Sequence, residues 1–377
     1  MNETIDTILA DLEAGGNLRT VAANDVDGSL TDLSSNDYLG LAADRQLRDG
    51  FMASEAAATL PLSASASRLL ANHQKAFTSL EECLRTAYGA PALLFNSGYH
   101  ANTGIVSALA GVKGTYIIAD RLVHASIIDG IKLSGAPFTR FRHNDYAHLA
   151  SIADKVKAQY SNIIIIAESV YSMDGDKADI SALADIKRSI PGAILYIDEA
   201  HAVGVEGPAG LGLAAASGKQ SDVDILVGTF GKALASAGAF AIVSETLRSF
   251  LINKARSFIF STALPPFITA WSEYVFRHMM DMDTRRVQLQ KLGISLAEAL
   301  RPFGGTADGG HIQPLVAGSP TKAVAWSQSL RNDGFIVLPI RTPTVPPGTD
   351  RLRFSLAADL DPERIVQLSQ ALSHLSI

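Results

Sequence analysis

Lys232 follows a short apolar run, residues 225–227, in a turn of small residues. Upstream, Asp198 ends a second apolar run, and His201 stands three residues after it. A lysine that can form a Schiff base and an acid that can pair with a pyridinium nitrogen are what pyridoxal phosphate (PLP) requires of a protein. These residues suggest a PLP site in which Lys232 carries the cofactor, Asp198 pairs with its ring nitrogen and His201 exchanges a hydrogen bond with one of its oxygens. The alternatives are a surface lysine for Lys232 and a capping histidine after a strand for His201.

A candidate phosphate site lies earlier in the chain, where Ser97, Gly98 and Tyr99 separate a predicted strand from a predicted helix. Free backbone N–H groups at a helix N-terminus suit a phosphate. Thr229 and Ser172 could supply hydroxyl groups to the same anion, although each alone is better explained as an ordinary turn or cap residue. The sequence therefore predicts a phosphate subsite with several contributors.

Residues 228–232 also contain the pattern Gly-x-x-Gly-Lys, which suggests a nucleotide phosphate loop. That motif needs four residues between its glycines and a serine or threonine after the lysine. Here two residues separate Gly228 from Gly231, and Ala233 follows Lys232. The spacing therefore disfavours a nucleotide-binding loop.

Other side chains could contact a ring or a carboxylate. His124 could stack on the cofactor ring and carry a proton; the alternative is a half-buried histidine at the start of a helix. Arg341 and Arg353 could pair bidentately with a substrate carboxylate. The alternative for Arg353 is a solvated position beside Arg351 on the same strand face. Glu199 is expected to point away from the site.

Composition narrows the range of partners. The net charge of −6 argues against nucleic acid or an anionic membrane as the main binding partner, and the hydrophobic fraction of 47% is that of a globular protein.

The chain has one cysteine, Cys83, so an intrachain disulfide and a multi-cysteine metal site are excluded, and a buried, inert thiol is expected. The N-terminal residues lack the basic and apolar regions of a secretory signal, and no apolar run is long enough to span a bilayer, so a cytoplasmic location is expected.

Apolar runs alternate with helix-length segments through the middle of the chain. Because such runs are typical of strands buried on both faces, they predict an α/β fold with a mostly parallel central sheet covered by helices. Ligands of such sheets bind at the carboxyl ends of the strands, where Ser97, Asp198 and Thr229 fall. The predicted strands are 92–95, 115–119, 138–141, 163–167, 194–198, 225–229 and 239–243, and the predicted helices are 74–88, 101–109, 124–133 and 146–159.

The two ends of the chain show a different pattern. Ile5, Ile8, Leu9 and Leu12 share one face of a predicted amphipathic helix, which is expected to pack on a larger body. The remaining predicted elements are a strand at 30–33, a long helical region at 265–300, strands at 312–316, 335–340 and 352–356, and helices at 321–332 and 362–375, the last capped by Asp361. We expect an N-terminal segment (1–40), a large PLP-binding α/β domain (41–275) and a smaller C-terminal α+β domain (276–377).

The motifs together resemble the α-oxoamine synthases, which are PLP enzymes of the aspartate aminotransferase-like fold (fold type I). The likeness covers nearly the whole chain and rests on six runs in order: 35–41, 95–102, 120–126, 168–175, 198–204 and 229–232. It implies that PLP is bound to Lys232, that Asp198 lies at the pyridine nitrogen, and that His124 stacks on the ring. It also implies that His201 lies near the phenolic oxygen and that the further cofactor contacts, partly around the phosphate, are Ser97, Gly98, Tyr99, Ser172 and Thr229.

The resemblance extends to substrates and assembly. The implied contacts are Asn36 and Arg353 for the amino-acid carboxylate, and Arg19, Arg341 and Thr344 for the acyl substrate. Ser261 and Thr262 resemble a phosphate contact that reaches across a dimer interface, which implies a homodimer with shared active sites. Residues 312–316 and 340–353 are most similar to family members that condense L-alanine with a pimeloyl thioester, carried by CoA or by an acyl-carrier protein.

Two departures from the family pattern concern acyl-substrate binding and leave the cofactor set intact. Residues 63–67 carry alanine and serine where glycines are usual, and Phe77 stands at a histidine position. Residues 356–359, Leu-Ala-Ala-Asp, replace a longer Leu-Thr-Ala-Ala-His.

The expected reaction is a PLP-dependent decarboxylative condensation in which Lys232 acts as the base. Alternatives within the family are glycine C-acetyltransferase and a long-chain sphingoid-base synthase such as serine palmitoyltransferase. An aminotransferase or lyase is an alternative outside the family. A catalytically silent scaffold is disfavoured because both Lys232 and Asp198 are present.

Overall fold

The computed structural model describes residues 1–21, 28–306 and 308–375. The chain divides into two compact units. The larger unit contains Leu39–Tyr171 and Lys177–Arg286, and the smaller unit contains Met1–Tyr38, Ser172–Asp176 and Val287–Ile377.

The elements are numbered in chain order. The helices are α1 (Asn2–Ala14), α2 (Arg45–Met52), α3 (Glu55–Thr59), α4 (Gln74–Tyr88), α5 (Gly98–Ala110), α6 (Ala125–Ser134), α7 (Tyr146–Val156), α8 (Ile180–Arg188), α9 (Leu213–Ala216), α10 (Glu245–Lys254), α11 (Arg256–Ile259), α12 (Pro266–Met279), α13 (Asp283–Leu300), α14 (Pro320–Asn332) and α15 (Glu363–Leu372). The strands are β1 (Thr31–Asp32), β2 (Ala92–Phe95), β3 (Thr115–Asp120), β4 (Phe138–Phe141), β5 (Asn162–Glu168), β6 (Ala193–Asp198), β7 (Ile225–Thr229), β8 (Ala239–Val243), β9 (Ile312–Val316), β10 (Phe335–Ile336), β11 (Leu338–Ile340) and β12 (Arg351–Ser355).

The larger unit is built on a seven-stranded sheet within the described residues, in the order β2-β8-β7-β6-β5-β3-β4. Strands β4, β3, β5, β6 and β7 pair in parallel, whereas β8 is antiparallel to both of its neighbours, β7 and β2. The predicted α/β fold with a mostly parallel central sheet is confirmed, and each of the seven strands expected from the apolar runs is present within one residue at either end.

The core of this unit explains why those runs are continuous rather than alternating. Ile105 on α5, Ile117 on β3, Ile166 on β5 and Val227 on β7 belong to one cluster and are fully buried. Burying such a side chain stabilises the fold by roughly 1.5–3 kcal/mol. Because helices cover the sheet, residues of both strand faces are removed from water.

Helices α5 and α6 approach each other closely, and Gly130 on α6 permits this. A Cβ atom at Gly130 would lie 2.9 Å from Val106 Cβ and 3.2 Å from the carbonyl oxygen of Asn102. Those distances are shorter than ordinary carbon contacts, so a larger residue would force the helices apart. The close packing allows Asn102 of α5 to donate a hydrogen bond to the Ser126 hydroxyl of α6 at 3.0 Å.

The smaller unit contains a three-stranded antiparallel sheet, β11-β12-β9, and a two-stranded parallel pair, β1-β10. The single strand predicted at 335–340 is wrong. Residues 335–336 pair with β1, residues 338–340 pair with β12, and Val337 separates them. One apolar run serves two sheets here, because the chain changes pairing partner at a buried residue.

Two expectations about helices also need correction. The predicted long helical region is interrupted between Met279 and Asp283, so that α12 and α13 are separate. Helix α1 forms as expected, but its apolar face is not packed against the rest of the described chain: Ile5, Ile8, Leu9 and Leu12 are 38–53% exposed.

Cys83 is buried in α4, where burial raises its thiol pKa and suppresses the reactive thiolate. None of the described helices has the length and apolar character required to cross a bilayer.

Candidate active site

The carboxyl ends of the parallel strands in the larger unit place the predicted residues on one edge of the sheet. Glu168 and Asp198 end β5 and β6 and are register partners. Thr229 ends β7, the neighbour of β6, and Ser97 follows the end of β2. Parallel strands present their carboxyl ends at the same edge, where ligands of such sheets bind. The sequence expectation that these ends converge is confirmed.

Lys232 lies in a tight turn between β7 and β8. Its carbonyl accepts from the backbone N–H of Ala235, and Phe230 donates its backbone N–H to the carbonyl of Gly238 at 2.9 Å. Thr229 Oγ1 accepts from the Gly231 N–H at 3.1 Å and donates to the Gly238 carbonyl at 3.0 Å. The Thr229 hydroxyl therefore braces the lysine turn.

His201 and Asp198 follow the neighbouring strand. Lys232 Nζ lies 2.6 Å from His201 Nε2, so the lysine amine and the imidazole exchange a hydrogen bond. The Asp198 carboxylate accepts the Ala200 backbone N–H at 2.9 Å through Oδ1 and the Asn102 amide at 2.7 Å through Oδ2. Both oxygens of Asp198 therefore accept hydrogen bonds from neighbouring residues. The structure brings the predicted lysine, histidine and carboxylate together.

His124 is the N-cap residue of α6 and retains exposed surface. Its Nδ1 lies 2.7 Å from Ser126 Oγ and accepts the Ser126 backbone N–H at 3.3 Å. Its own backbone N–H donates to Glu168 Oε1. Desolvation lowers the pKa of His124 and Lys232 lowers it further, while the Asp198 carboxylate opposes the change. The ring is therefore held in place by α6 and β5 and favours the neutral form.

Glu168 is a buried carboxyl group beside Asp198. Burial raises its pKa well above the ordinary value, and the Asp198 charge raises it further. Two neighbouring carboxyl groups at one sheet edge do not both ionise readily. The structure therefore separates their roles: Glu168 favours the neutral form and anchors the His124 backbone, while Asp198 carries the charge.

The start of α5 has the features of an anion cradle. Ser97 Oγ caps this 13-residue helix by accepting the His100 N–H at 3.2 Å. A Cβ atom at Gly98 would meet no atom within 4 Å, so open space adjoins the first turn. Tyr99 is half exposed, and its hydroxyl donates to Asp129. Helix N-terminal N–H groups facing open space, together with the amine of Lys232 and the carboxylate of Asp198, fit PLP.

Ser261 and Thr262 lie beside the same region within one chain. The Thr262 carbonyl accepts from the Asn96 amide, and Thr262 forms an antiparallel bridge with Ser67. Asn96 directly precedes Ser97. A phosphate contact across a dimer interface stays a prediction for this pair.

Glu199 points away from the cofactor cluster, as expected. Its carboxyl group accepts from Ser169 Oγ at 2.6 Å and from the backbone N–H groups of Leu213 and Ala214 at 2.9 and 2.7 Å. Glu199 is fully buried, and desolvation raises its pKa to about 7 although these donors oppose the change. Glu199 therefore ties β6 to the start of α9.

We expect Glu199 to make stability depend on pH. Its folded pKa lies above the ordinary 4.5, so the folded state binds this proton more tightly than the unfolded state. The resulting stability is complete below about pH 4.5 and declines as the pH rises through about 7. Urea unfolding of the wild type and Glu199→Gln should show the wild type losing roughly 2–3 kcal/mol relative to the variant between about pH 5 and about pH 8. Parallel pH curves would contradict this assignment, and Glu206→Gln, which changes a partly buried carboxylate paired with Lys177, serves as the control.

The smaller unit contains a buried arginine cluster. Arg353 is 4% exposed and donates to the Ser172 carbonyl at 2.5 Å, Ser355 Oγ at 2.7 Å and Asn36 Oδ1 at 3.1 Å. Burial raises the pKa of the neighbouring Tyr38 to about 12, against the effect of Arg353, so the tyrosine stays protonated. Among the described residues Arg353 forms no ion pair with a carboxylate. A buried guanidinium satisfied only by neutral acceptors favours an anionic ligand.

Arg351, two residues earlier, differs in its partner. It is 5% exposed and pairs with the Asp174 carboxylate. The alternative that Arg351 and Arg353 are both solvated is therefore wrong, because β12 is the central strand of its sheet and both residues are covered. The structure distinguishes a paired arginine from an arginine without a counter-ion, which the alternating pattern could not do.

The three residues predicted to handle the acyl substrate also meet in the smaller unit. Arg19 donates to Thr344 Oγ1 at 2.9 Å, and Arg341 donates to the carbonyl of Gly16. Thr344 and Arg19 are exposed and Arg341 is half-buried. Within the described part of the chain neither arginine forms an ion pair. The cluster therefore presents two cations that lack a recorded carboxylate partner.

The structure also shows the positions of residues that depart from the family pattern. Ser65 has φ +51°, a left-handed conformation that glycine adopts without strain. Its backbone N–H donates to Ser63 Oγ at 3.1 Å, so a serine hydroxyl supports the turn. Phe77 is 1% exposed and lies under the Arg68 guanidinium, 4.5 Å from the ring centre. Phe77 is therefore a core residue that supports Arg68.

Sequence reasoning missed several residues that hold the site. Asn102, Ser126, Glu168 and Tyr196 were not assigned roles, although the first three lie inside the motif runs 95–102, 120–126 and 168–175. Their position within those runs was a usable signal. Tyr196 carried none, because a tyrosine within an apolar strand is ordinarily read as core.

The comparisons with known proteins agree with this geometry. The model of the aminotransferase class I and II family matches residues 29–372. A putative 8-amino-7-oxononanoate synthase of Pasteurella multocida is 46% identical over 353 residues, which is 93% of this chain and 91% of the relative. The 8-amino-7-oxononanoate synthase of Chlorobaculum parvum is 45% identical over 352 residues, covering 92% of this chain and 89% of the relative.

Solved structures show the same fold. A serine palmitoyltransferase from S. paucimobilis, with bound PLP-myriocin aldimine, has a TM-score of 0.89 at 28% identity and covers 98% of this chain and 95% of its own. An 8-amino-7-oxononanoate synthase from Francisella tularensis has a TM-score of 0.77 at 27% identity, covering 93% of this chain and all of its own.

Proposed function

The chain belongs to the aminotransferase class I and II family and, within it, to the α-oxoamine synthases, and we propose that it makes 8-amino-7-oxononanoate for biotin biosynthesis. The substrates are L-alanine and a pimeloyl thioester, on CoA or an acyl-carrier protein. A carbon–carbon bond forms between the alanine Cα and the acyl carbonyl, the thiol leaves, and the alanine carboxyl group departs as CO₂.

One observation carries the proposal. The amine of Lys232 and the carboxylate of Asp198 follow neighbouring parallel strands and open on the same sheet edge, and His201 Nε2 lies 2.6 Å from Lys232 Nζ. The relatives that share this framework over about nine-tenths of the chain are named 8-amino-7-oxononanoate synthase.

PLP, when bound, supplies an electron sink for the electrons left on the amino-acid Cα. The Asp198 carboxylate, held by Asn102 and the Ala200 N–H, keeps a proton on the ring nitrogen by its opposite charge. The N-terminal N–H groups of α5, beside Gly98, hold the phosphate group. Thr229 keeps the lysine turn closed.

Lys232 performs the proton transfers. Its Nζ is the amine that would hold the cofactor, and when free it would take the proton from the L-alanine Cα as a general base. His201 Nε2, in hydrogen-bond contact with Nζ, orients the amine. The proton returns to the same carbon after CO₂ has left. His124 assists by donating a hydrogen bond to an oxygen of the reacting acyl or carboxylate group.

The arginines of the smaller unit select the substrates. We assign the amino-acid carboxylate to Arg353 and Asn36, because Arg353 is buried without a counter-ion among the described residues. The far carboxylate of a pimeloyl chain needs a cation, which Arg341 and Arg19 supply. A homodimer with Ser261 and Thr262 reaching the partner's phosphate, and a cytoplasmic location, complete the proposal.

A substrate panel tests the proposal directly. Purified enzyme loaded with PLP should release thiol and CO₂ in equal amounts from L-alanine and pimeloyl-CoA, with product identified by mass spectrometry. Glycine with acetyl-CoA and serine with palmitoyl-CoA should give far lower kcat/KM. Transamination of L-alanine without release of CO₂ and thiol would instead indicate an aminotransferase.

A sphingoid-base synthase is the second candidate, since the serine palmitoyltransferase structures align over 98% of the chain at TM-scores of up to 0.89. Their identity is 28%, against 46% for the relative from Pasteurella multocida. The cations Arg19 and Arg341 favour a dicarboxylic chain over an aliphatic one. Higher kcat/KM with palmitoyl-CoA than with pimeloyl-CoA would favour this candidate.

We expect Arg353→Lys to raise the KM for L-alanine about 10- to 100-fold with a smaller effect on kcat. A lysine keeps the charge but loses the guanidinium fork that pairs with a carboxylate, and a charge-assisted hydrogen bond contributes about 1.5–3 kcal/mol. Steady-state kinetics with varied L-alanine measure the effect. Arg351→Lys, on the same strand but paired with Asp174, is the matched control and should leave this KM nearly unchanged. Equal KM increases in the two variants would contradict the assignment.

A further inference from the structure

A chain of polar side chains runs from buried Tyr196 through Asn102 and Ser126, which are also buried, to the exposed His124. The Tyr196 hydroxyl lies 2.5 Å from Asn102 Oδ1. Asn102 Nδ2 lies 2.7 Å from Asp198 Oδ2 and 3.0 Å from Ser126 Oγ. Ser126 Oγ lies 2.7 Å from His124 Nδ1. This chain links the group predicted at the ring nitrogen with the group predicted above the ring.

The direction of each hydrogen bond follows from Asp198. An ionised carboxylate only accepts hydrogen bonds, so the Asn102 side chain must present its NH₂ group to Asp198. The opposite orientation would place two acceptor oxygens against each other at 2.7 Å. The Asn102 oxygen then faces Tyr196, whose hydroxyl donates to it. The amide orientation is thus determined at both ends.

The same reasoning reaches His124. An NH₂ group has two hydrogens, and Asn102 uses one on Asp198 and the other on Ser126 Oγ. Ser126 Oγ is therefore an acceptor from Asn102. Because the Ser126 backbone N–H donates to His124 Nδ1, that nitrogen is an acceptor, and the Ser126 hydroxyl hydrogen points to it. The Ser126 backbone N–H approaches the same nitrogen at 3.3 Å. Two donors therefore point at Nδ1, which excludes a proton on that nitrogen.

We propose that Asp198, acting through Asn102 and Ser126, holds His124 as the neutral tautomer with its proton on Nε2. Asn102 and Ser126 are then positioning residues, since they act through His124 and Asp198. Within the described chain Nε2 has no hydrogen-bond partner, so its N–H is available as a donor to a substrate oxygen. The use of that donor in acyl transfer rests on the proposed function. The assignment of the tautomer is independent of that function.

The charged surroundings of His124 agree with a neutral ring. Burial lowers its pKa first, Lys232 lowers it further, and the carboxylates of Asp198 and Asp129 oppose the shift. Glu168 accepts from the His124 backbone N–H and favours its own neutral form. One network therefore serves two ends: it donates a hydrogen bond to the Asp198 carboxylate and keeps His124 able to donate without carrying charge.

The tautomer is measurable by nitrogen NMR. PLP-loaded enzyme with ¹⁵N-labelled histidine is examined at neutral pH, and the His124 signals are assigned by their loss in His124→Gln. We expect Nε2 to carry the proton and Nδ1 to have the shift of an unprotonated nitrogen. A wild-type spectrum with a proton on Nδ1, or on both nitrogens, would overturn the proposal whatever the variants do.

Two variants test the route through the network. Asn102→Asp offers Ser126 an acceptor, so the serine hydrogen turns away from His124 and Nδ1 is expected to gain a proton, with kcat more than about tenfold lower. Ser126→Thr keeps the hydroxyl and should preserve the wild-type tautomer. Both variants are first checked for cofactor content and thermal unfolding. If Asn102→Asp binds PLP and leaves the tautomer unchanged, the route is wrong.

The NMR result is independent of the substrate assay. Failure of every acyl thioester in the panel would remove the proposed reaction while leaving the tautomer established. A reversed wild-type tautomer together with normal condensation of L-alanine would remove only this inference.

Discussion

Replacing Lys232 with alanine is expected to lower kcat by more than about 10⁴-fold, because one amine both carries the cofactor and moves the Cα proton. Residues 229–238 contain no second lysine, and the imidazole of His201, which contacts Nζ, cannot bind the cofactor aldehyde as an amine does. Steady-state release of thiol from pimeloyl-CoA measures the loss.

A second readout separates catalysis from folding. Borohydride reduction and peptide mass analysis should find the cofactor covalently attached to Lys232 in the wild type and unattached in Lys232→Ala. A small primary amine added to the variant should restore part of the rate, since it supplies the missing base. Lys177→Ala, whose side chain pairs with Glu206 in the same unit, is the matched control and should retain activity. Wild-type turnover by Lys232→Ala would overturn the proposed function.

Asp198→Asn is expected to lower kcat about 10²- to 10³-fold. The substitution preserves size but removes the charge that would hold a proton on the ring nitrogen, and an opposite charge within about 4–6 Å shifts a pKa by about 1–3 units. The variant also disturbs the Asn102 amide, because that NH₂ group no longer faces an acceptor-only partner. The loss of charge and the loss of hydrogen-bond direction are both expected to lower kcat.

The pH dependence of the cofactor absorbance provides the diagnostic readout for Asp198→Asn. The ring-nitrogen titration should move to lower pH in the variant, whereas a purely structural defect would change cofactor content without this displacement. Asp224→Asn is the matched control: Asp224 precedes β7 at the opposite end of the same strand pair and binds Lys187 and the Leu195 N–H. If both variants show the same spectra and rates as the wild type, Asp198 has no role at the ring nitrogen.

Local patterns were sufficient for most of the larger unit. The apolar runs that became β2, β5 and β7 are continuous because both faces of the sheet are covered, and that continuity is visible in the sequence. Strand ends follow from such runs, so the positions of Asp198 and Lys232 at a common edge were predictable. The strand at 335–340 failed because pairing partners, which decide where a strand changes sheet, are distant in the sequence.

The sequence by itself determined the cofactor chemistry, because the lysine, the acid and the strands that carry them are local features in a recognisable order. Only the tertiary structure decided which polar groups are paired. Arg351 and Arg353 occupy equivalent positions on one strand, yet Asp174 neutralises the first and no described carboxylate neutralises the second. Asn102 and Asp198 are likewise far apart along the chain and meet only because the fold brings the Asn102 side chain of α5 to the carboxylate that ends β6. Hydrogen-bond direction depends on every partner at once, so the proton on His124 is a property of the folded network rather than of any motif.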